Sequence, residues 1–431
     1  MKPVFKVSII LLFAAAIPLE AQVAPEATSP RQLGVNGNLS YSARYSQIEN
    51  FYSDSSSGQT ANLSGDFAYA TNNERAPFSV TFGGGYNWTV SGTAYNSGPY
   101  ENLSLAQGII GHHWSLQLSD SVGYHQGAPI TGFSGVPGSG EPISGSNPTS
   151  SPDETILTLN TIMLNNDASA TYSYRLSAFT SLTAGGGANW LMFPDGGGFN
   201  TDSYLADFGL THRLNARNSI FGNYAFSEYS YSGFAITTDA NTAMFGWQRT
   251  WSRNLSSSVS AGPQWIGSSE SSLVPSTTGV SASATISYNT KLGVAGLTYS
   301  HGVAAGGGYL YSGEQDSVTG SFGHQFGREV GSQLSVEFAG GYRLTSSLIS
   351  QAASTGGSTP GAFTGDISAE YGSAQATRAL GRYFSVFASY TGTNQAYSSQ
   401  NSGASSNVLI GLWQIISFGV GYTPQPVHLR H

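Results

Sequence analysis

The sequence contains no cysteine, and after Lys6 it contains one lysine, Lys291. The first absence excludes a disulfide framework and thiolate chemistry, and it suits a chain that crosses an oxidising compartment, where a thiol-free chain cannot mispair. The second, with charged residues at 9% of 431, removes the charge-laced surface of a soluble protein of this size. The net charge is −8, and no nucleic-acid partner is expected.

Long apolar runs are scarce as well. Lys2 and Lys6 precede one such run from Val7 to Ala16, and Leu19, Glu20 and Ala21 offer a cleavage point before Gln22. Residues 1–21 read as a secretory signal peptide, too short for a spanning helix. Nothing after it approaches the roughly 18 apolar residues of a transmembrane helix. If the mature chain spans a membrane, it must do so as a closed barrel. Hydrophobic residues at 39%, largely in alternation, argue against a disordered low-complexity chain.

What the sequence has is alternation. In Gly320–Leu344, Phe322, His324 and Phe326 alternate with Ser321, Gly323 and Gln325; Gly327, Arg328, Glu329 and Val330 interrupt. Leu334, Val336, Phe338, Tyr342 and Leu344 then alternate with Gln333, Ser335, Glu337, Ala339 and Arg343. These are two period-2 strands joined by a short polar turn. One face is aliphatic and aromatic and the other small and polar, which fits lipid on one side and water on the other. Steps of 38 residues from Arg175 land on Arg213, Trp251, Asn289 and Gly327, each in or beside such a break. Two long strands per period fit an up-and-down barrel better than a propeller blade, which places four short strands in about 40 residues.

The chain divides into a signal peptide (1–21), a periplasmic lead (22–32), a barrel (33–423) and a C-terminal tail (424–431). The fold class is all-β, a transmembrane up-and-down antiparallel barrel of about 18 strands, with a range of roughly 16 to 20. Residues 154–174 read as one strand rather than two with a turn at Asn165–Asp167, and 407–422 as a single last strand. Strand five puts Trp114, Leu116, Leu118, Val122 and Tyr124 on one face together with Asp120. A lipid-facing carboxylate near mid-depth is unfavourable, so a bulge is expected there.

Charges sort by rim. Arg75, Arg175, Arg213, Arg217, Arg249, Arg253, Arg328, Arg378, Arg382 and Lys291 lie at or beside short turns, whereas long loops carry mostly acids such as Glu49, Asp54, Asp153, Asp195 and Glu270. Short turns belong to the periplasmic rim. Inside the strands, Asp66, Asp207, Glu337 and Glu370 fall on polar faces, a loose acidic belt that would favour cations or neutral solutes. The alternative is that each acid pairs with a lumenal arginine, such as Arg44 or Arg343, and stiffens the wall.

No chemistry emerges from the remaining motifs. His112 and His113 share a turn with no cysteine and no acid at ligand spacing, so no metal is assigned. His125, among many serines, is the one starting point for an outer-membrane hydrolase, and no catalytic geometry accompanies it. The glycine triplets at 83–85, 185–187 and 306–308 lie between no strand and helix; in a barrel wall they relieve curvature or leave lumen space. No cofactor is expected.

The pattern resembles bacterial outer-membrane barrels of the porin kind, over nearly all of the mature chain and by architecture rather than by motif. The resemblance implies that the longest loop, Gln126–Asp153, between strands five and six, forms a constriction containing Glu141, although the acidic motif of that family's loop is missing. Porins carry a terminal aromatic that barrel assembly machinery reads; here the chain continues past Tyr422 through Pro424 and Pro426 to His431. The implied location is the cell outer membrane. The implied partners are its lipid, small hydrophilic solutes or an exported polysaccharide, and a homo-oligomer, for which no strand stands out as an interface. A passive channel is the leading reading, with a non-conducting surface scaffold or adhesin second and a hydrolase third.

Overall fold

The computed structural model describes residues 36–52, 57–71, 73–92, 97–126, 162–232, 236–271, 274–304, 312–327, 333–348, 365–398, 410–424 and 427–430. The first nine strands are β1 (Asn36–Tyr52), β2 (Ser57–Thr71), β3 (Phe78–Ser91), β4 (Gly98–Ile110), β5 (Trp114–Gln126), β6 (Ile162–Arg175), β7 (Thr180–Met192), β8 (Thr201–Arg213) and β9 (Asn218–Tyr231). The next nine are β10 (Thr237–Thr250), β11 (Leu255–Ser268), β12 (Thr277–Asn289), β13 (Gly293–Ala304), β14 (Gly313–Phe326), β15 (Leu334–Ser347), β16 (Asp366–Leu380), β17 (Phe384–Tyr397) and β18 (Gly411–Tyr422). Each pairs antiparallel with its neighbours in sequence, and β18 closes on β1 from Ala43↔Tyr422 to Tyr52↔Trp413.

A short β19 (Val427–Arg430) continues along β1 below β18, from Asn36↔Arg430 to Leu39↔Val427. The segment expected as a tail therefore supplies edge pairing, and the wall is 18 strands wide because β18 and β19 share one neighbour. Proline donates no N–H. Pro424 follows β18, and among the described residues β1 has no ladder partner over residues 40–42 on that side.

The side chains follow the ladder. Tyr41, Phe67, Phe82, Leu103 and Val122 form one cross-strand row, each exposed. The neighbouring inward row runs Ser42, Asp66, Gly83, Asn102, Gly123 and Asn165. Exposed apolar rings and aliphatic chains on one parity are unfavourable in water over so large an area, and they are what a lipid-facing wall requires. Phe322 and Phe338, opposite one another on β14 and β15, stack with centroids 6.4 Å apart on that outer face.

Short turns explain the sequence repeat. Asn73 Oδ1 accepts from the backbone N–H groups of Arg75 and Ala76 at 3.0 and 3.2 Å. Ser177 Oγ accepts from Phe179 and Thr180, Asn215 Oδ1 from Arg217 and Asn218, and Ser252 Oγ from Asn254 and Leu255. A side-chain oxygen that caps the two amides following it closes a tight turn without help from the rest of the fold. One hairpin plus one such turn is the unit that recurs. Beside these turns the Arg249 guanidinium lies 4.1 Å from the Trp251 ring centroid and that of Arg213 5.3 Å from Phe179.

Two sequence expectations meet the structure here. Residues 162–175 form one strand with unbroken register, with no turn at Asn165–Asp167. The bulge expected near Asp120 is absent, because β5 keeps register with both neighbours throughout. Asp120 stays on the outer face, and Asn166 Nδ2 donates to its Oδ1 at 2.7 Å, which supplies the hydrogen bond that lipid cannot.

The face assignment predicts a contrast on β13. Leu297 is outward and 51% exposed, while Thr298 beside it is inward. Leu297→Arg should destabilise the barrel by about 2–4 kcal/mol, and Thr298→Arg by less than about 1 kcal/mol. Urea titration of refolding into lipid vesicles measures both, and equal losses would overturn the assignment.

Candidate functional site

The candidate site is the lumen. Its wall is built from inward positions that are mostly Ser, Thr, Asn, Gln and Gly, as in the row Thr171, Gly185, Asp207, Ala225, Thr242 and Gln264. Thr171, Thr242 and Gln264 of this row are buried, and Gln264 Nε2 donates to Thr242 Oγ1 at 3.1 Å.

Among the expected site residues, Asp66, Asp207, Glu337, Arg44 and Arg343 are on inward positions. Asp66 Oδ2 accepts from Ser42 Oγ at 2.8 Å. The Arg44 guanidinium stacks 5.3 Å from the centroid of Phe387, a ring that itself lies over Gly419. Arg343 stands opposite Ser317 and Ala369.

Glu370 does not join them. It lies opposite Tyr342 and Asn394, on the outer face, close to the long-loop end of β16. The reason is an inverted amphipathicity: β16 turns Ile367 and Tyr371 inward and Ser368, Glu370, Gly372 and Ala374 outward, so its more polar face is the outer one. The lumen acid that the sequence does not reveal is Asp167. It is inward, between Ser121 and Asn189, within the Asn-Asn-Asp run that reads as turn chemistry. Glu141 lies outside the described residues. For His125 the structure describes only the backbone, paired with Tyr100 and Met163.

Two of the lumen acids, Asp66 and Asp207, share a local device. A β-carbon at Gly83 would stand 2.9 Å from Asp66 Oδ1, and one at Gly185 would overlap Asp207 Oδ1. Glu337 also faces a glycine, Gly323, but a β-carbon there would make only ordinary contact, 3.6 Å from Glu337 Cγ. Inward rings use the same trick: Tyr100 lies over Gly85, Phe221 over Gly246 and Tyr371 over Gly341. Each cross-strand glycine lets a large or charged group lie along the wall.

Toward the long-loop rim the lining changes. Met163 and Leu191, Phe193 just beyond β7, and Ile367 form one buried cluster, with Tyr397 packed against it. Leu191 is on β7 and Ile367 on β16, nine strands apart in a ring of 18, so the cluster as a whole bridges opposite walls. A second cluster joins Tyr229, Tyr231 and Val274, with Phe199, Val303 and Leu348 against it. Thr238 and Ser312 at this rim, and Ser46 and Ser417 deeper in the wall, have no exposed surface.

Outside the wall at the same rim, His301 contacts Glu314 through Nε2 at 3.1 Å and Asp316 through Nδ1 at 3.0 Å, and Tyr299 donates to Asp316 at 2.9 Å. His112 and His113, with ring centroids 5.0 Å apart in a short turn, are both exposed. Among the described residues no His, Asp and Glu group is arranged to hold a metal ion.

No protein-family model and no curated protein sequence matches the chain. Similar solved structures include OccK2 (OpdF) of Pseudomonas aeruginosa, with a TM-score of 0.45 at 12% identity, over 93% of this chain and 100% of that one. OpdQ of the same organism gives 0.43 at 10%, over 91% and 99%, and a bacterial polysaccharide outer membrane secretin 0.35 at 9%, over 89% and 97%. A closed 18-stranded antiparallel barrel with an apolar, aromatic exterior and a polar interior is the porin-type architecture of a membrane-spanning β-barrel.

The glycine device separates two otherwise identical substitutions. Gly185→Val meets Asp207 and Thr171 and should destabilise by about 1–3 kcal/mol, as overpacking does. Gly372→Val, outward with nothing within 4 Å of its added β-carbon, should be neutral or stabilising. Vesicle refolding midpoints report both, and a Gly372→Val loss as large as that of Gly185→Val would contradict the arrangement.

Proposed function

We propose that the chain is a passive channel for small hydrophilic solutes, with a preference for cations and neutral solutes over anions. The observation that carries this reading is the inward surface: ladder-ordered rows of small polar residues with four acids, Asp66, Asp167, Asp207 and Glu337, against two arginines, Arg44 and Arg343, away from the rims. A barrel this wide holds an aqueous bore where an eight-stranded one is filled by its own side chains. A surplus of carboxylates along a narrow polar path repels anions at short range. The same wall would suit a hydroxyl-rich polysaccharide, and solute size decides between them.

One observation favours a second reading. The apolar contacts across the long-loop end narrow the route on the side where solutes enter, as in a non-conducting scaffold whose loops do the work.

Single-channel recording of the refolded barrel in a planar bilayer tests both. Stepwise currents whose reversal potential in a salt gradient shows cation preference are expected. Glu337→Gln and Asp167→Asn should each reduce that preference without loss of conductance. A folded barrel that never conducts, even with Leu191→Ser and Ile367→Ser combined, would move the function to the loops.

A further inference from the structure

The two apolar clusters at the long-loop rim do something that the polar wall beneath them does not explain. A barrel of 18 strands keeps opposite walls apart through its ladder alone. Yet Leu191 and Met163 share a buried cluster with Ile367, across the full width of the ring. The residues that meet are apolar at inward positions, where most of the lining is hydroxyl, carboxamide or hydrogen. Contact of this kind excludes water, and an apolar constriction blocks ions by staying dry.

The second cluster carries a feature that points the same way. Tyr231, at the end of β9, forms a hydroxyl–hydroxyl hydrogen bond of 2.5 Å with Ser312, immediately before β14. Ser312 is fully buried and has φ of +61°, the one left-handed backbone among the described non-glycine residues. Such a conformation is unfavourable for a residue with a side chain and persists where its surroundings hold it. Here what holds it includes a side chain five strands away, so the bond links the packing of the rim to a strained segment.

We propose that these contacts form a gate at the outer end of the channel. The cluster of Met163, Leu191, Phe193 and Ile367 is its barrier, and the Tyr231–Ser312 hydrogen bond is the latch that favours the closed form. The gate rests on the channel reading above. Opening separates the two walls, wets the passage and exposes the small polar lining; the ladder stays intact, because every residue involved projects from a strand end or from just beyond one. A solute entering from outside meets this barrier before the acidic lumen.

The native chain has no cysteine, so engineered thiols are unambiguous. Leu191→Cys and Ile367→Cys are combined in the full chain and treated with a short bismaleimide in a planar bilayer. The crosslink should form within one barrel and abolish stepwise current, whereas either single variant under the same reagent keeps it. Tyr231→Phe, which keeps the ring and loses the latch, should raise the open fraction several-fold at unchanged open-state conductance. Failure of the crosslink in a folded barrel would remove the contact, and a crosslink that leaves the current intact would remove the barrier; either overturns the gate while the channel stands. Absence of current in every variant, including the paired serine substitutions, would instead overturn the channel reading and the gate with it.

Discussion

In hydrocarbon a peptide N–H or C=O without a partner costs several kcal/mol, so a sheet can cross a membrane only if it has no edge. That constraint organises this chain. The ladder between β18 and β1 spans ten residue pairs, and β19 extends it by four along the same partner. With the edges joined, side-chain parity becomes a choice between two solvents, and the outer rows of Tyr, Phe, Leu and Val and the inner rows of Ser, Thr, Asn and Gly follow from it. Where one residue breaks the rule, as Asp120 does, a neighbour on the next strand supplies the missing hydrogen bond.

Closure also makes the lumen a place where space must be managed. Eighteen strands curve gently, and inward rings and carboxylates would crowd the bore if they projected from it radially. Cross-strand glycines under Asp66, Asp207, Tyr100, Phe221, Tyr371 and Phe387 let those groups lie along the wall. The long-loop end uses the opposite arrangement. There Leu191, Ile367 and their neighbours reach inward without such recesses, and the walls meet. The chain thus places an apolar contact in series with a polar, net-acidic path.

Most of the architecture is legible in the sequence because it is local. Period-2 alternation and a polar break every 38 residues need no knowledge of distant contacts. Asp66, Asp207, Glu337, Arg44 and Arg343 could be placed because their strands carry a clear apolar face. Glu370 could not, since β16 has Ala and Ser on both faces and the large apolar residues of its outer half, Ile367 and Tyr371, point inward. Asp167 hid in an Asn-Asn-Asp run whose composition signals a turn. The rim contacts were out of reach for a different reason: the partners of Leu191 and Tyr231 are 176 and 81 residues away, and no periodicity encodes which walls meet.

The central claim is that one parity of every strand faces lipid and the other faces water. Single cysteines along β15 in the otherwise cysteine-free chain, treated with a membrane-impermeant charged maleimide in proteoliposomes, test it most directly. Cysteine at Ser335 and Ala339 should label, and cysteine at Val336, Phe338 and Leu344 should not, so that reactivity alternates residue by residue. Uniform labelling, or labelling of the Phe338 row alone, would contradict the account.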